Sequence, residues 1–440
     1  MTSTARAARR SRAAGVVLVL SLGLAGCGVG GGGDDSEPGR DTDGRVDGKV
    51  TGAITFQTWN LKGGYEEYFT DLVGAFEKKY PGTRVKWIDQ PADGYSEKLS
   101  ADAAAGNLPD VVDLGPEAGY TLAGADMLLN IAKADPSAKK DYLPAAWNAM
   151  TWAGIDGGTY GYPFYLNTGP SFFNTELLTR AGLDPKNTPK TYDDLFDQAD
   201  EMADAAKGEY SMLGRTPVIE TFGTYGVQLM NKDATAFTFN NAKGVELLTR
   251  YKEMYDSGAL TEDILNEKQV GEVDKFKSGR LGWLPGSAYN LADFKKNAPD
   301  IYKSVAIGPM IANAAPNMYI ESLAVSSKTG NAPTAIAFAK FATNAENQLA
   351  FARKAAIFPA TVGTLDDPFF TKSDGTDEGR VRVESAAQIG RAVVHWPPAF
   401  SQAMVDELRE QVALALKGDK TPKQALDDTV AFCNDRLGRT

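Results

Sequence analysis

From Val50 onward, short apolar runs of strand length alternate with longer stretches whose apolar residues recur at helical spacing. Ile54-Thr55-Phe56-Gln57-Thr58-Trp59 reads as a strand. Tyr68, Leu72 and Phe76, with Phe69, Val73 and Tyr80, follow at helical spacing, and Pro81-Gly82 stops that helix. Arg84 to Ile88 reads as a second strand, Gly94 to Ala105 as a helix, and Pro109 to Leu114 holds a short buried strand. Strand, helix, strand, helix, strand in that order predicts a parallel sheet flanked by helices, hence an α/β fold.

Further helices are marked by their ends. Thr191-Tyr192-Asp193-Asp194 is a capping box, with Leu195, Ala199 and Met202 following on one face. Lys243 to Ser257 ends at Gly258, Pro333 to Phe351 is rich in Ala and Phe, and Gln402 to Leu416 ends at Gly418. Thr421-Pro422 starts a last helix, in which Leu426, Val430, Cys433 and Leu437 share a stripe, so Cys433 is expected as a buried, inert thiol.

The first 49 residues follow another pattern. Arg6, Arg9, Arg10 and Arg12 precede a short apolar run from Ala13 to Ala25, too short to span a bilayer, and Leu24-Ala25-Gly26-Cys27 resembles a lipoprotein cleavage box. Residues 1–26 are therefore expected to be a signal peptide, Cys27 to be lipidated, and 27–49, rich in Gly, Asp and Ser, to be a flexible linker. The Gly30–Gly33 run follows no strand and opens no helix, so it is not a phosphate loop.

Composition narrows the function. The chain has 440 residues, 46 basic and 57 acidic side chains, one histidine and two cysteines. Loss of residues 1–26 removes four arginines and leaves a net charge of −15, which argues against nucleic acid as a partner and against direct adhesion to anionic lipid. One histidine and two cysteines exclude a multi-histidine metal site and a disulfide framework. No EF-hand pattern is visible, and no cofactor is expected.

Four stretches resemble the extracellular sugar-binding proteins of bacterial ABC importers, the group that includes maltose-binding protein. They are TFQTWN with the helix ending FEKKYPG, AAGNLPDVVDLG, YGYPFYLNTGPSFFNTELLTRAGLDP, and GPMIANAAPNMYIESLAVSSKTGNAPTAIAFAKFATNAENQ. The resemblance implies two discontinuous α/β lobes joined by hinge segments, residues 50–163 plus 308–358 and 164–307 plus 359–440, closing over a ligand in the cleft. It implies an extracytoplasmic monomer, held at the membrane through Cys27, that passes a carbohydrate to an ABC permease and is not an enzyme.

A sugar presents flat C–H faces and a ring of hydroxyls, which aromatic rings and planar amides or carboxylates complement. Sites in parallel sheets lie beyond the strand C-termini. That rule and the resemblance together select Trp59 and Asn60 after the first strand, and Glu117 after the Val111–Leu114 strand. The resemblance adds Tyr165 and Asn167 in the first crossover, Glu220, Phe222 and Tyr225 in the second lobe, and Gly286, Ser287 and Tyr289 in a turn. In that turn Ala288 stands where many members carry a stacking tryptophan, so Tyr289 or Trp283 takes that part or the sugar is held differently. Tyr319 and Glu321 follow the return crossover, and Trp396, beside the structural candidate His395, stands at the cleft rim. The competing roles are a core position for Trp59, a helix-dipole acid for Glu117, helix packing for Glu220, Phe222 and Tyr225, and a strand-end charge for Glu321. Leu114 occupies a position where maltose-binding protein has a tryptophan, which argues against assuming maltose. A sugar alcohol or glycerol-phosphate-type solute is the alternative ligand, and a glycan hydrolase built on Glu117 and Glu220 the less favoured alternative function.

Overall fold

A computed structural model describes residues 44–265 and 271–438, and the expected signal peptide and Cys27 lie outside them. The strands among the described residues are β1 (Gly52–Trp59), β2 (Thr83–Gln90), β3 (Val111–Leu114), β4 (Thr151–Trp152), β5 (Gly158–Thr159), β6 (Tyr162–Asn167), β7 (Ser171–Asn174), β8 (Trp283–Pro285), β9 (Val305–Gly308), β10 (Tyr319–Val325) and β11 (Phe358–Pro359). Six of them form one sheet in the order β11-β6-β10-β3-β1-β2. β1 runs parallel to both β2 and β3, as the strand–helix alternation predicts. β10 then pairs antiparallel with β3 and β6, so the sheet is mixed. Successive residues of a strand point to opposite faces. Val111 accordingly packs with Phe56, Phe69, Phe164 and Phe338, while Val112 packs with Leu99, Leu166 and Ile320.

A second, three-stranded antiparallel sheet, β8-β7-β9, has its own surroundings. Phe173, Phe196, Phe222, Phe239, Tyr251, Val412 and Leu426 form one large apolar cluster there, and Phe172, Phe276 and Phe294 form a smaller one. Cys433 is fully buried in the large cluster, and burial pushes its thiol pKa up, which suits an inert packing role. Two sheets with separate cores make two lobes, the architecture the sequence predicts.

Capping residues sit where the sequence places them. Thr191 accepts from the Asp194 amide while the Asp194 carboxylate accepts from the Thr191 amide, opening the helix Tyr192–Ala206. Thr421 and Gln424 do the same for Pro422–Leu437. The single helix expected over 333–351 is instead two, Ala332–Ala342 and Ala345–Ala352. Thr343 turns its hydroxyl back on the Ala339 carbonyl, and Asn344 caps the second helix by accepting from the Asn347 amide. Gly44–Lys49, expected as the end of a linker, also departs from the expectation. The Val46 amide donates to the Ala134 carbonyl, and Val46 and Val50 lie against the core beside the large sheet. Two valines four residues apart supply enough apolar surface to dock that stretch.

Where the chain passes between sheets, three segments are hydrogen-bonded to one another. The Thr168 hydroxyl donates to the Asn317 carbonyl, the Met318 amide to the Val393 carbonyl, and the His395 amide to the Asn317 side chain. No helix among the described residues is long and apolar enough to cross a membrane.

Candidate ligand-binding cavity

The C-terminal ends of β1 and β3 and the start of β10 open onto a cavity of about 360 Å³. Its rings are Trp59, Tyr95, Tyr319 and Trp396, and its charged side chains are Glu117 and Glu321. The turn after β1 is pinned from below. Asp89 accepts from the Thr58 hydroxyl at 2.7 Å and from the amides of Leu61 and Lys62 at 3.1 and 3.0 Å, and the Trp87 indole donates to Thr58. Asn60 takes a left-handed φ of 51° there, which lets the chain leave the sheet and leaves Trp59 beside Tyr95, ring centroids 6.1 Å apart. At the end of β3, Gly115 and Pro116 start the helix Pro116–Gly124, and Glu117 lies in its first turn. Desolvation, reinforced by Glu97, raises the Glu117 pKa.

Below the cavity lies a buried acid. Asp113 has no solvent exposure, and neither of its carboxylate oxygens has a hydrogen-bond partner. The Tyr95 hydroxyl donates to the Asp113 backbone carbonyl at 2.7 Å, not to its side chain. Desolvation and the nearby carboxylates of Glu321 and Asp89 hold the Asp113 carboxyl well above the usual range. Desolvation likewise pushes Glu321 up to about 8, opposed by a hydrogen bond from Trp59.

Two further cavities adjoin. One of about 150 Å³ is lined by Glu220, Arg215, Trp283, Gly286 and Tyr319, and one of about 220 Å³ by Arg215, Glu220, Trp396 and Phe400. Tyr319, Trp396 and Glu220 therefore join the three into one region between the sheets. Tyr319 is 54% exposed, and its hydroxyl approaches Glu220 Oε1 at 3.5 Å, linking a strand of the large sheet to the helix Ile219–Tyr225. Burial raises the Glu220 pKa, while Arg215 and Tyr319 pull it back. Arg215 itself lies 3.8 Å from Glu272.

Of the residues selected from the sequence, the structure brings Trp59, Glu117, Glu220, Trp283, Gly286, Tyr319, Glu321 and Trp396 to this region. Trp283 is nearly buried and donates to the Ser171 hydroxyl at 3.0 Å, so it forms wall more than platform. Gly286 is a packing glycine, since a Cβ there would meet the Phe172 ring at 2.7 Å. The other selected residues do not line these cavities. Phe222 is fully buried in the second-lobe core, and Tyr225 is buried there with its hydroxyl donating to Glu246 at 2.7 Å. Tyr165 packs its ring against Phe164 and Phe351. Ser287 is spent capping the helix Ala288–Asn297, and Tyr289 stands 81% exposed. Asn60 and Asn167 are exposed at strand ends. His395 is held by the Ala315 carbonyl at 2.8 Å and covers Gly223, a structural role.

Sequence reasoning missed Tyr95, Asp113 and Arg215. The signal for Asp113 was a carboxylate inside an otherwise apolar strand, VVDL, because a buried acid needs a reason. Tyr95 and Arg215 carry no comparable local mark.

A family model for bacterial extracellular solute-binding proteins matches residues 71–375, and the chain belongs to that family of binding proteins. A Brucella abortus protein named as a binding protein is 24% identical over 256 residues, a match covering 55% of this chain and 59% of that protein's own length. The sn-glycerol-3-phosphate-binding periplasmic protein of Shigella dysenteriae is 25% identical over 430 residues, covering 89% of this chain and 94% of the relative. A crystal structure from Synechococcus, assigned as an oligosaccharide periplasmic-binding protein, superposes with a TM-score of 0.77 at 24% identity, covering 88% of this chain and 99% of that one.

Proposed function

We propose that this chain captures a carbohydrate in the cavity between its two lobes and delivers it, unaltered, to an ABC permease. One observation carries the reading: four aromatic rings and two carboxylates border a single space at the strand C-termini, the surfaces a pyranose ring needs. Trp59 and Glu321 serve as ring platform and hydroxyl partner from the first lobe. Tyr319, at the junction with Glu220, carries the contact to the second lobe, and ligand contacts to both halves favour closure. We place the hinge in the three linked crossovers, at 168–170, 312–317 and 393–395, in place of the expected boundaries near 163, 308 and 358. β6 pairs in the large sheet as far as Asn167; Ala360, Phe370 and Ala392 pack in the first lobe's core, while Val381 between them, on the helix Asp377–Ile389, packs with Phe172 and Phe294 of the second lobe, so that helix bridges the two. Membrane attachment through Cys27 completes the proposal. The oligosaccharide named for the Synechococcus protein agrees with it.

A glycerol phosphate, named for the Shigella relative, is the second reading. The charged side chains lining the main cavity are carboxylates, the wrong sign for a phosphate, and Arg215 faces Glu272 and Glu220 instead. A thermal-shift screen of mono- and oligosaccharides alongside sn-glycerol-3-phosphate separates the two. The proposal expects a rise in Tm with a carbohydrate; a rise with the phosphate ester alone overturns it.

A further inference from the structure

Glu321 and Asp113 form an acceptor-rich floor to the cavity. Asp113 is completely buried with both carboxylate oxygens unpartnered, and the Oε2 of Glu321, which lines the cavity, has no partner either. β3 and β10 are adjacent antiparallel strands, with Leu323 opposite Asp113, so Glu321 lies two residues along from that pair. Asp113 thus lies on the neighbouring strand, near enough for the Glu321 charge to act on it. Glu117 borders the same space from the opposite turn, and among the described residues lining the cavity none is basic. The rings of Trp59 and Tyr95 beside it are surfaces that attract a cation as well as a sugar face.

We propose, building on the carbohydrate reading, that this floor is an ammonium subsite and that the preferred ligand is an amino sugar whose protonated amine pairs with Glu321, backed by Asp113. A buried carboxylate without a counter-charge is costly, and a ligand cation placed against it removes that cost. Uncharged saccharides bind the same platform without this gain. The groups facing Glu321 are Asp113 on β3, Tyr95 on the helix Tyr95–Ala104, Tyr165 on β6 and Trp59 at the end of β1, with Asp89 on β2 acting on Asp113. All the ionisable groups among them are acids. Burial raises the pKa of both acids, and repulsion from the Glu321 charge raises that of Asp113 further, which favours a shared proton in the free protein. The incoming ammonium takes its place, and the proton passes to solvent, so binding an amino sugar releases protons and binding the hydroxyl analogue does not.

The test is calorimetry on the purified chain with matched pairs: glucosamine and glucose, galactosamine and galactose, fully deacetylated chitobiose and cellobiose. Titration at pH 7 in two buffers of different ionisation enthalpy counts the protons. The amino member of at least one pair is expected to bind about tenfold to a hundredfold more tightly, the effect of a charge-assisted hydrogen bond, with net proton release. In Glu321→Gln the ratio within that pair collapses towards one. Equal affinity within pairs that bind, or amine preference without proton release, overturns the proposal. So does stabilisation by sodium or ammonium chloride alone without discrimination within pairs, which marks a simple cation site. If no saccharide of either kind binds, the carbohydrate reading itself fails. The wild-type proton count decides the matter even where Glu321→Gln does not fold.

Discussion

Asp113 carries a pH signature of its burial. An acid whose pKa is raised on folding binds more protons folded than unfolded between its two pKa values, so stability falls as pH rises through that window. With Asp113 raised and Glu321 near 8, the ligand-free chain is expected to lose stability from about pH 5 to pH 8. Asp113→Asn should flatten that slope and raise stability at pH 8 by on the order of 1–3 kcal/mol, the scale of a buried unsatisfied polar group. Thermal or urea melts at pH 5, 6.5 and 8 check this, and a wild-type chain more stable at pH 8 than at pH 5 contradicts it. Trp59 makes the opposite kind of prediction. Trp59→Ala should weaken carbohydrate binding by about 1–3 kcal/mol while shifting the unliganded melt little, because the ring is partly exposed beside the cavity. Normal affinity with a much lower Tm would return Trp59 to the core.

At the scale of elements, helix ends and strand centres were legible because local chemistry fixes them. Thr191, Asn344 and Thr421 each cap by a side-chain oxygen, yet only the first and last were read, since Ala- and Phe-rich helical spacing ran on past Asn344 and hid the break. Phe222 and Tyr225 were misplaced because a short helix shows which residues are apolar without showing which side meets a core. The order of the strands, and so the neighbourhood of Asp113 and Glu321, lies in pairings of residues some 200 positions apart that no local window contains. The first crossover holds a second hidden constraint. A Cβ on Gly169 would sit 2.0 Å from the Gly286 carbonyl oxygen. Gly169→Ala should force β7 and the turn after β8 apart, costing about 1–3 kcal/mol of stability. Chemical denaturation measures the loss, and an unchanged midpoint would show that the crossover yields freely.

For the whole molecule, two lobes were readable from alternating patterns and family resemblance, while the residues that join them were not. Residues 44–49, the first of those described, dock against the first lobe, so the proposed tether runs from Cys27 to about residue 43. Replacing Cys27 by Ser should abolish incorporation of labelled fatty acid into the protein without altering ligand affinity. Labelling of the Cys27→Ser variant at the wild-type level would contradict lipidation at that cysteine. A crystal structure of the purified chain with the saccharide giving the largest thermal shift decides where and how the ligand sits. An intact sugar is expected, with a ring face on Trp59, a polar group on Glu321, and the lobes brought together across Tyr319 and Glu220. A sugar bound elsewhere with this cavity unaltered, or a cleaved product in its place, would contradict it.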